Sequence, residues 1–248
     1  MPTPFPSVDE LVATIQRSLL PTVLVEGDDD VVVYRWMEPF LRDVGADFLP
    51  CGSRDKVIQV FNRRHEIART ELAFVVDQDM WIFTGKPQGF EGLIATRGYS
   101  IENDVLAGGS ADRLFEPAEK AVFDKVLGVL EEWFAFEATE LLAKRQCSFN
   151  ESITSIIEFP ACNLSANYVA SRGFAPVTGS IRETIRNDAI LNIRGKNVLA
   201  AYSYVLNSGA RGFAYAKKAI LEICIKMAEP HPHCDRLVDE IRRKLSAS

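Results

Sequence analysis

The sequence has no apolar stretch approaching the about 18 residues that a membrane-spanning helix requires. It has no glycine repeat and no sustained heptad pattern, which excludes collagen-like and coiled-coil chains. Histidine is scarce, at three residues (His65, His231 and His233). The five cysteines, Cys51, Cys147, Cys162, Cys224 and Cys234, are widely spaced and form no CxxC pair. That pattern implies idle or buried thiols in a reducing compartment, so a cytoplasmic location is expected. His231, His233 and Cys234 are the one local group of zinc-ligand types, but zinc sites normally add a second pair elsewhere. The group reads better as a turn before the last helix. The opening residues lack a basic region followed by an apolar stretch, so no secretory leader is expected. No local Ser–His–Asp or Cys–His arrangement suggests a nucleophile system.

What is present is a globular composition. The 248 residues are 47% apolar and 25% charged, which excludes disorder over most of the length and suits one or two domains. The net charge of −6 argues against a nucleic-acid partner only while it is taken as a total. Residues 1–110 hold 10 basic and 17 acidic side chains, residues 111–160 hold 5 and 10, and residues 161–248 hold 13 and 7. Within residues 172–218 eight basic side chains meet only two acids, Glu183 and Asp188, and aromatics interleave: Phe174, Tyr202, Tyr204, Phe213 and Tyr215. An acidic first half joined to a basic segment suits a cation site beside an anion-binding surface. The same pattern arises when Arg and Lys solubilise helix faces and the aromatics are core.

Hydrophobic periodicity divides the chain. Ser7 and Glu10 form a capping box before a helix carrying Val8, Leu11, Val12, Ile15, Leu19 and Leu20, closed by Pro21. Thr22–Val25 reads as a buried strand, residues 28–41 as a helix with Pro39 against its far end, and residues 47–51 as a weaker strand. Ser53 caps a helix to about Arg69, Glu71–Val76 is a second strong strand, Leu93–Thr96 a short one, and Tyr99–Leu106 begins another helix. This alternation predicts an α/β fold with a small parallel sheet flanked by helices over residues 1–110. Residues 111–248 read as mainly helical, with helices at 117–145, 180–190, 195–207, 213–228 and 235–245, and loops near 147–151 and 171–179. The two stretches are compatible with packing as one unit.

In a parallel sheet, sites form at the carboxyl ends of the strands. Glu26 falls just past the first strand, Asp77 and Asp79 just past another, and Glu102 at the start of the helix after the third strong one. Clustered carboxylates repel one another, and a bound Mg²⁺ or Mn²⁺ relieves that repulsion. Such an ion is the usual partner of phosphoryl transfer. Gly27 permits a tight turn after Glu26. Asp28, Asp29 and Asp30 suit the first turn of a helix, but would repel phosphate unless a metal intervenes.

VLVEGDDDVVVY (23–34) with FVVDQD (74–79) resembles the Toprim signature, a Glu-Gly after the first strand and a DxD after a later one. That module occurs in topoisomerases, DnaG-type primases and OLD-family nucleases. YSIENDVL (99–106) and IRGKNVL (193–199) are similar to the AriB-type Toprim effectors of PARIS anti-phage systems, which partner an ABC-type ATPase. The resemblance spans about residues 22–106 and, more weakly, extends to about 200. By position it implies Glu26 as the acid/base or metal-coordinating glutamate, Asp77 and Asp79 as metal ligands, Asp30 as the second acid of the first motif, and Glu102 as a supporting acid. Lys196, at the GK position, would stabilise developing phosphate charge. It implies a Mg²⁺-dependent endonuclease, a toxic antiviral effector of abortive infection that cleaves RNA (tRNA) or DNA. Activation or release would come from the ATPase sensor, since this chain carries no ATPase domain, with a homodimer as the active form. Arg182, Arg186, Arg194, Lys196 and Lys217 are the candidate nucleic-acid contacts. Two alternatives stand beside this. A haloacid-dehalogenase-like phosphatase also places DxD after a strand, but wants a small hydroxyl residue where Met80-Trp81 stand and leaves Glu26 unexplained. A catalytically inactive Toprim-like binding module would keep the acids without using them.

Overall fold

The computed structural model describes residues 5–27, 31–68, 71–108, 111–209, 213–227 and 231–246. The first helix, α1 (Val8–Arg17), starts at Ser7 with both capping-box bonds formed, as the sequence implies. It stops three residues sooner than the apolar spacing suggests. Leu19 and Leu20 lie outside it and are exposed, because the backbone turns extended at Ser18, whose N–H makes the last bonds of the helix to the Thr14 and Ile15 carbonyls. Strand β1 (Thr22–Val25) follows, then α2 (Val31–Met37), whose end passes into a 3₁₀ turn at Glu38–Leu41. Pro39 sits in that turn, where its missing N–H costs no α-helical bond. The aspartates at 28–30 lie outside the described residues, Asp30 among them.

Strand β2 (Asp47–Pro50) leads to α3 (Arg54–Asn62), capped by the Ser53 hydroxyl, which accepts from the Lys56 N–H at 3.3 Å. This helix ends earlier than expected, with a 3₁₀ turn at Arg64–Glu66. Then come β3 (Leu72–Val76), α4 (Trp81–Thr84), β4 (Ile94–Ala95) and α5 (Ile101–Gly108). The four strands form one parallel sheet in the order β2-β1-β3-β4. The chain therefore steps outward from β1 in one direction to β2 and in the other to β3. The crevice where strand order reverses falls at the carboxyl ends of β1 and β3.

Residues 111–248 contribute the long α6 (Pro117–Leu142), α7 (Ile153–Ile156), a small antiparallel hairpin of β5 (Ile157–Glu158) and β6 (Asn163–Leu164), and α8 (Ala166–Arg172). They continue with α9 (Ser180–Asn187), α10 (Ala189–Asn192), α11 (Gly195–Ser208), α12 (Lys217–Met227) and α13 (Pro232–Ser246). The region is mainly helical, as expected. The hairpin and the short α7, α8 and α10 are additions that periodicity alone did not reveal.

Alternation along the strands explains how the layers form. Leu24, Phe74 and Val76 point to one face, where they meet Leu11, Ile15, Val57 and Phe61 of α1 and α3. Val23, Val25, Ala73 and Val75 point to the other, into a core that extends through α2, α5, α6, α11, α12 and α13. Side chains from both halves of the sequence share this larger core, from Val23 to Leu245. Among the described residues, no helix is long and apolar enough to cross a membrane.

Candidate active site

Two central strands deliver the acids to one edge. Glu26 directly follows β1 and Asp77 directly follows its neighbour β3. The Asp77 N–H donates to Glu26 Oε1 at 2.7 Å, tying the two strand ends together through the glutamate itself. Asp77 Oδ1 in turn accepts from the Ile101 N–H, the first residue of α5, at 3.0 Å. All three acids of the E-G and D-x-D motifs are half-buried.

The D-Q-D turn is held by the loop that precedes α5. The Asp79 N–H donates to the Tyr99 carbonyl at 2.8 Å, and the Gln78 N–H to Thr96 Oγ1 at 3.0 Å. Asp79 takes φ +48°, the left-handed region in which Asp is among the few tolerated side chains. Its carboxylate pairs with Arg54 from the first turn of α3, Nη1 to Oδ2 at 2.7 Å. The Arg54 guanidinium also lies 3.9 Å from the centre of the Trp81 ring, so the cation is fixed by a charge on one side and a π face on the other. Nothing in the sequence marks Arg54, since its partner lies 25 positions away. The Tyr99 phenol is raised in pKa by burial and then by the Asp79 charge, so it remains a neutral hydroxyl beside the acids.

The Ser-Ile-Glu-Asn box does structural work at this edge. Asn103 Oδ1 accepts from the Ser100 N–H (2.9 Å) and from the Ser100 hydroxyl (2.8 Å), while its amide donates to the Ile193 carbonyl at 2.8 Å and to that of Ile190. The Tyr99 N–H donates to the Leu191 carbonyl at 2.7 Å. The box therefore clamps the turn between α10 and α11 onto the start of α5. A Cβ on Gly195 would lie 2.2 Å from Ser100 Oγ, 2.6 Å from Asn103 Oδ1 and 3.1 Å from Glu102 Cβ, so only glycine fits there. Glu102 is buried at this junction, next in sequence to the residue that bonds Asp77. Asp104, fully buried, accepts from the Arg97 and Gly98 N–H groups at 2.9 and 2.6 Å.

The donor set fits a hard divalent ion. Glu26, Asp77 and Asp79 are carboxylate oxygen donors, the ligand type that hard divalent ions take. Among the described residues, no three His, Cys, Asp or Glu side chains stand close enough to form a ready cage. Mg²⁺ does not need one: it usually keeps several waters and takes one or two carboxylates together with substrate oxygens. Three of the cysteines are buried, protonated thiols. Burial pushes the Cys51 and Cys224 thiols up to about 12 and raises that of Cys234 as well, so all three stay protonated at neutral pH. His231 is buried with Nε2 2.6 Å from the Ile225 carbonyl, inside the fold and not in a surface turn.

The basic candidates separate into two groups. Arg182 donates to Glu132 (3.1 Å) and to the Val177 carbonyl (3.1 Å), and the charge of the exposed Arg186 favours the ionised form of Glu131 on α6. Arg194, Lys196 and Lys217 instead line a cleft beside α11. Arg172, also in the basic segment, is consumed by the buried Glu137, to which it donates twice at 3.0 Å.

No family model matches the chain, and no curated protein is significantly similar to it.

Proposed function

We propose that the chain is a metal-dependent endonuclease of Toprim type that hydrolyses phosphodiester bonds. The observation that carries the reading is the Glu26–Asp77 bond across two adjacent central strands, which gathers carboxylates from separate stretches of chain at the sheet's switch point. Glu26, Asp77 and Asp79 would hold Mg²⁺ or Mn²⁺. The ion, when bound, neutralises charge on the phosphate oxygens and activates the attacking water's environment. Glu26 would be the group that takes or holds a proton, with its carboxylate oriented by the Asp77 N–H. Arg54 holds Asp79 in place and is itself held over the Trp81 ring. Lys196, at the head of α11, would supply positive charge to the phosphate, and the Asn103 clamp ties the turn before that helix to the start of α5.

The biological setting rests on the resemblance of the E-G, D-x-D, Ser-Ile-Glu-Asn and Arg-Gly-Lys motifs. The chain is a toxic effector of an anti-phage system in this reading, cutting tRNA or other RNA, or DNA, once an ABC-type ATPase sensor releases or activates it. Expression of Glu26→Ala and Asp77→Ala chains tests the proposal. Both are expected to fold with unchanged circular dichroism and to lose Mg²⁺-dependent nucleic-acid cleavage and cell toxicity. Full toxicity in both variants refutes the catalytic assignment. Turnover of small phosphomonoesters with a phospho-aspartate at Asp77 replaces it with a phosphatase.

A further inference from the structure

The cleft beside α11 encloses about 720 Å³ and carries three cations, Arg194, Lys196 and Lys217, against one carboxylate, Glu151. Its long wall is a single face of α11. Lys196, Ala200, Ser203, Tyr204 and Asn207 recur at helical spacing along it, while Val198, Tyr202, Val205 and Leu206 on the opposite face are buried in the core. A wetted face of this kind on a helix whose other side is core is common. The cleft carries cations at both ends, Arg194 and Lys196 at one and Lys217 of α12 at the other, with amides and hydroxyls between.

The two ends are fixed by the fold. At one end Gly195 packs on Ser100 and Glu102, so the cleft begins where the acidic edge stops. At the other, Asn207 exchanges two bonds with Tyr215 (2.6 and 3.0 Å), and Ser203 donates to the Tyr215 carbonyl at 3.3 Å, which sets the start of α12 and Lys217 beside the end of α11. Lys196 and Asn207 are about 16 Å apart along the axis at 1.5 Å per residue, more than a lone phosphate spans. Nearer the Asn207 end, Tyr204 is stacked on Phe159 with ring centres 3.8 Å apart, a half-exposed aromatic surface. Arg194 is aimed by the Phe149 carbonyl, to which it donates at 2.8 Å.

We propose that this cleft seats a single-stranded stretch of polynucleotide running on from the acidic edge, with its backbone phosphates on Arg194, Lys196 and Lys217 and one base against Tyr204. The inference rests on the nuclease reading for the direction of the strand, but the binding itself stands on the cleft. It also assigns the work away from Arg182 and Arg186, whose charges face Glu132 and Glu131.

The test is fluorescence anisotropy with short labelled single-stranded RNA and DNA oligonucleotides in a metal-free buffer, where nothing is cut. Three phosphate contacts on a single strand give a slope of about −2 in log K against log salt, an affinity loss of about 20-fold between about 50 and 200 mM salt. Lys196→Ala/Lys217→Ala leaves one contact, so the loss over the same range falls to about 3-fold, and the low-salt affinity drops. Both lysines are exposed, so the fold is not at stake. Arg182→Ala/Arg186→Ala is expected to bind like the unaltered chain. Unaltered slope and affinity in the lysine pair, an equal loss in the arginine pair, preference for a duplex, or no binding by the unaltered chain each overturn the proposal. Equal binding of RNA and DNA supports a backbone seat, and a preference for one names the substrate. Normal cleft binding without cleavage in Mg²⁺ would remove the nuclease reading alone, so the two failures are distinguishable.

Discussion

Arg172 offers the sharpest test of how the helical half is held together. Glu137, at the core side of α6, is fully buried, and its carboxylate accepts four bonds: from Arg172 Nε and Nη2 (3.0 Å each), the Tyr168 hydroxyl (2.6 Å) and the Ser148 N–H (2.6 Å). Arg172 adds a bond to the Gln146 carbonyl at 2.6 Å. Arg172→Ala removes the only cation among these partners and leaves a buried carboxylate. Breaking a buried pair in this way costs about 3–5 kcal/mol. The Tyr168 and Ser148 bonds remain, which places the expected cost at the lower end, about 3 kcal/mol. For a chain of this size that lowers the midpoint of thermal unfolding by about 6–12 °C. Urea unfolding followed by circular dichroism measures the free energy directly. The Glu137→Leu/Arg172→Leu double variant is expected to be more stable than Arg172→Ala alone, because it removes the uncompensated charge along with its partner. A cost for Arg172→Ala within about 0.5 kcal/mol, the range of an ordinary surface substitution, would refute the argument.

Two other perturbations follow from the site. Gly195→Ala is expected to cost about 1–3 kcal/mol through overpacking against Ser100 and Asn103 and to reduce cleavage further than the lost stability explains, read by unfolding and single-turnover cleavage together. Gly128→Ala in α6, where a new Cβ meets nothing within 4 Å, is its control and is expected to stabilise by up to about 1 kcal/mol. Asp104 tests the pH dependence. Burial raises its pKa above the ordinary value of 3.8 despite its two backbone bonds, so the native state binds a proton more readily than the unfolded chain. Its favourable contribution is complete below about 3.8 and is lost as pH rises through the raised value. The stability difference between the unaltered chain and Asp104→Asn is therefore expected to shift against the unaltered chain across that window, and a pH-independent difference would contradict it.

Much of the sheet was legible because its signals are local. The Ser7–Glu10 capping box, the four-residue β1 and the all-buried β3 are read from short stretches, and the strand ends put Glu26 and Asp77 at one edge. Leu19 and Leu20 misled because helical spacing continues past the residue where the chain turns extended. The β5–β6 hairpin escaped because two-residue strands have no period to detect. Charge was the least legible property. Arg172, Arg182 and Arg194 look alike in the sequence, yet one neutralises a buried glutamate, one binds a neighbouring helix and one lines a cleft. Only long-range packing distinguishes them. The role of Asn103 was hidden for the same reason: its partners are carbonyl groups, which carry no side-chain signature.

The Asn103 clamp joins positions 87 and 90 residues apart. As the chain leaves the ribosome, β1, β3 and their acids are synthesised long before residues 190–195 are available to close the junction. Lys196 and the cleft arrive later still, and α12 and α13 last. The order of synthesis thus withholds the closed junction until about three quarters of the 248 residues have been made.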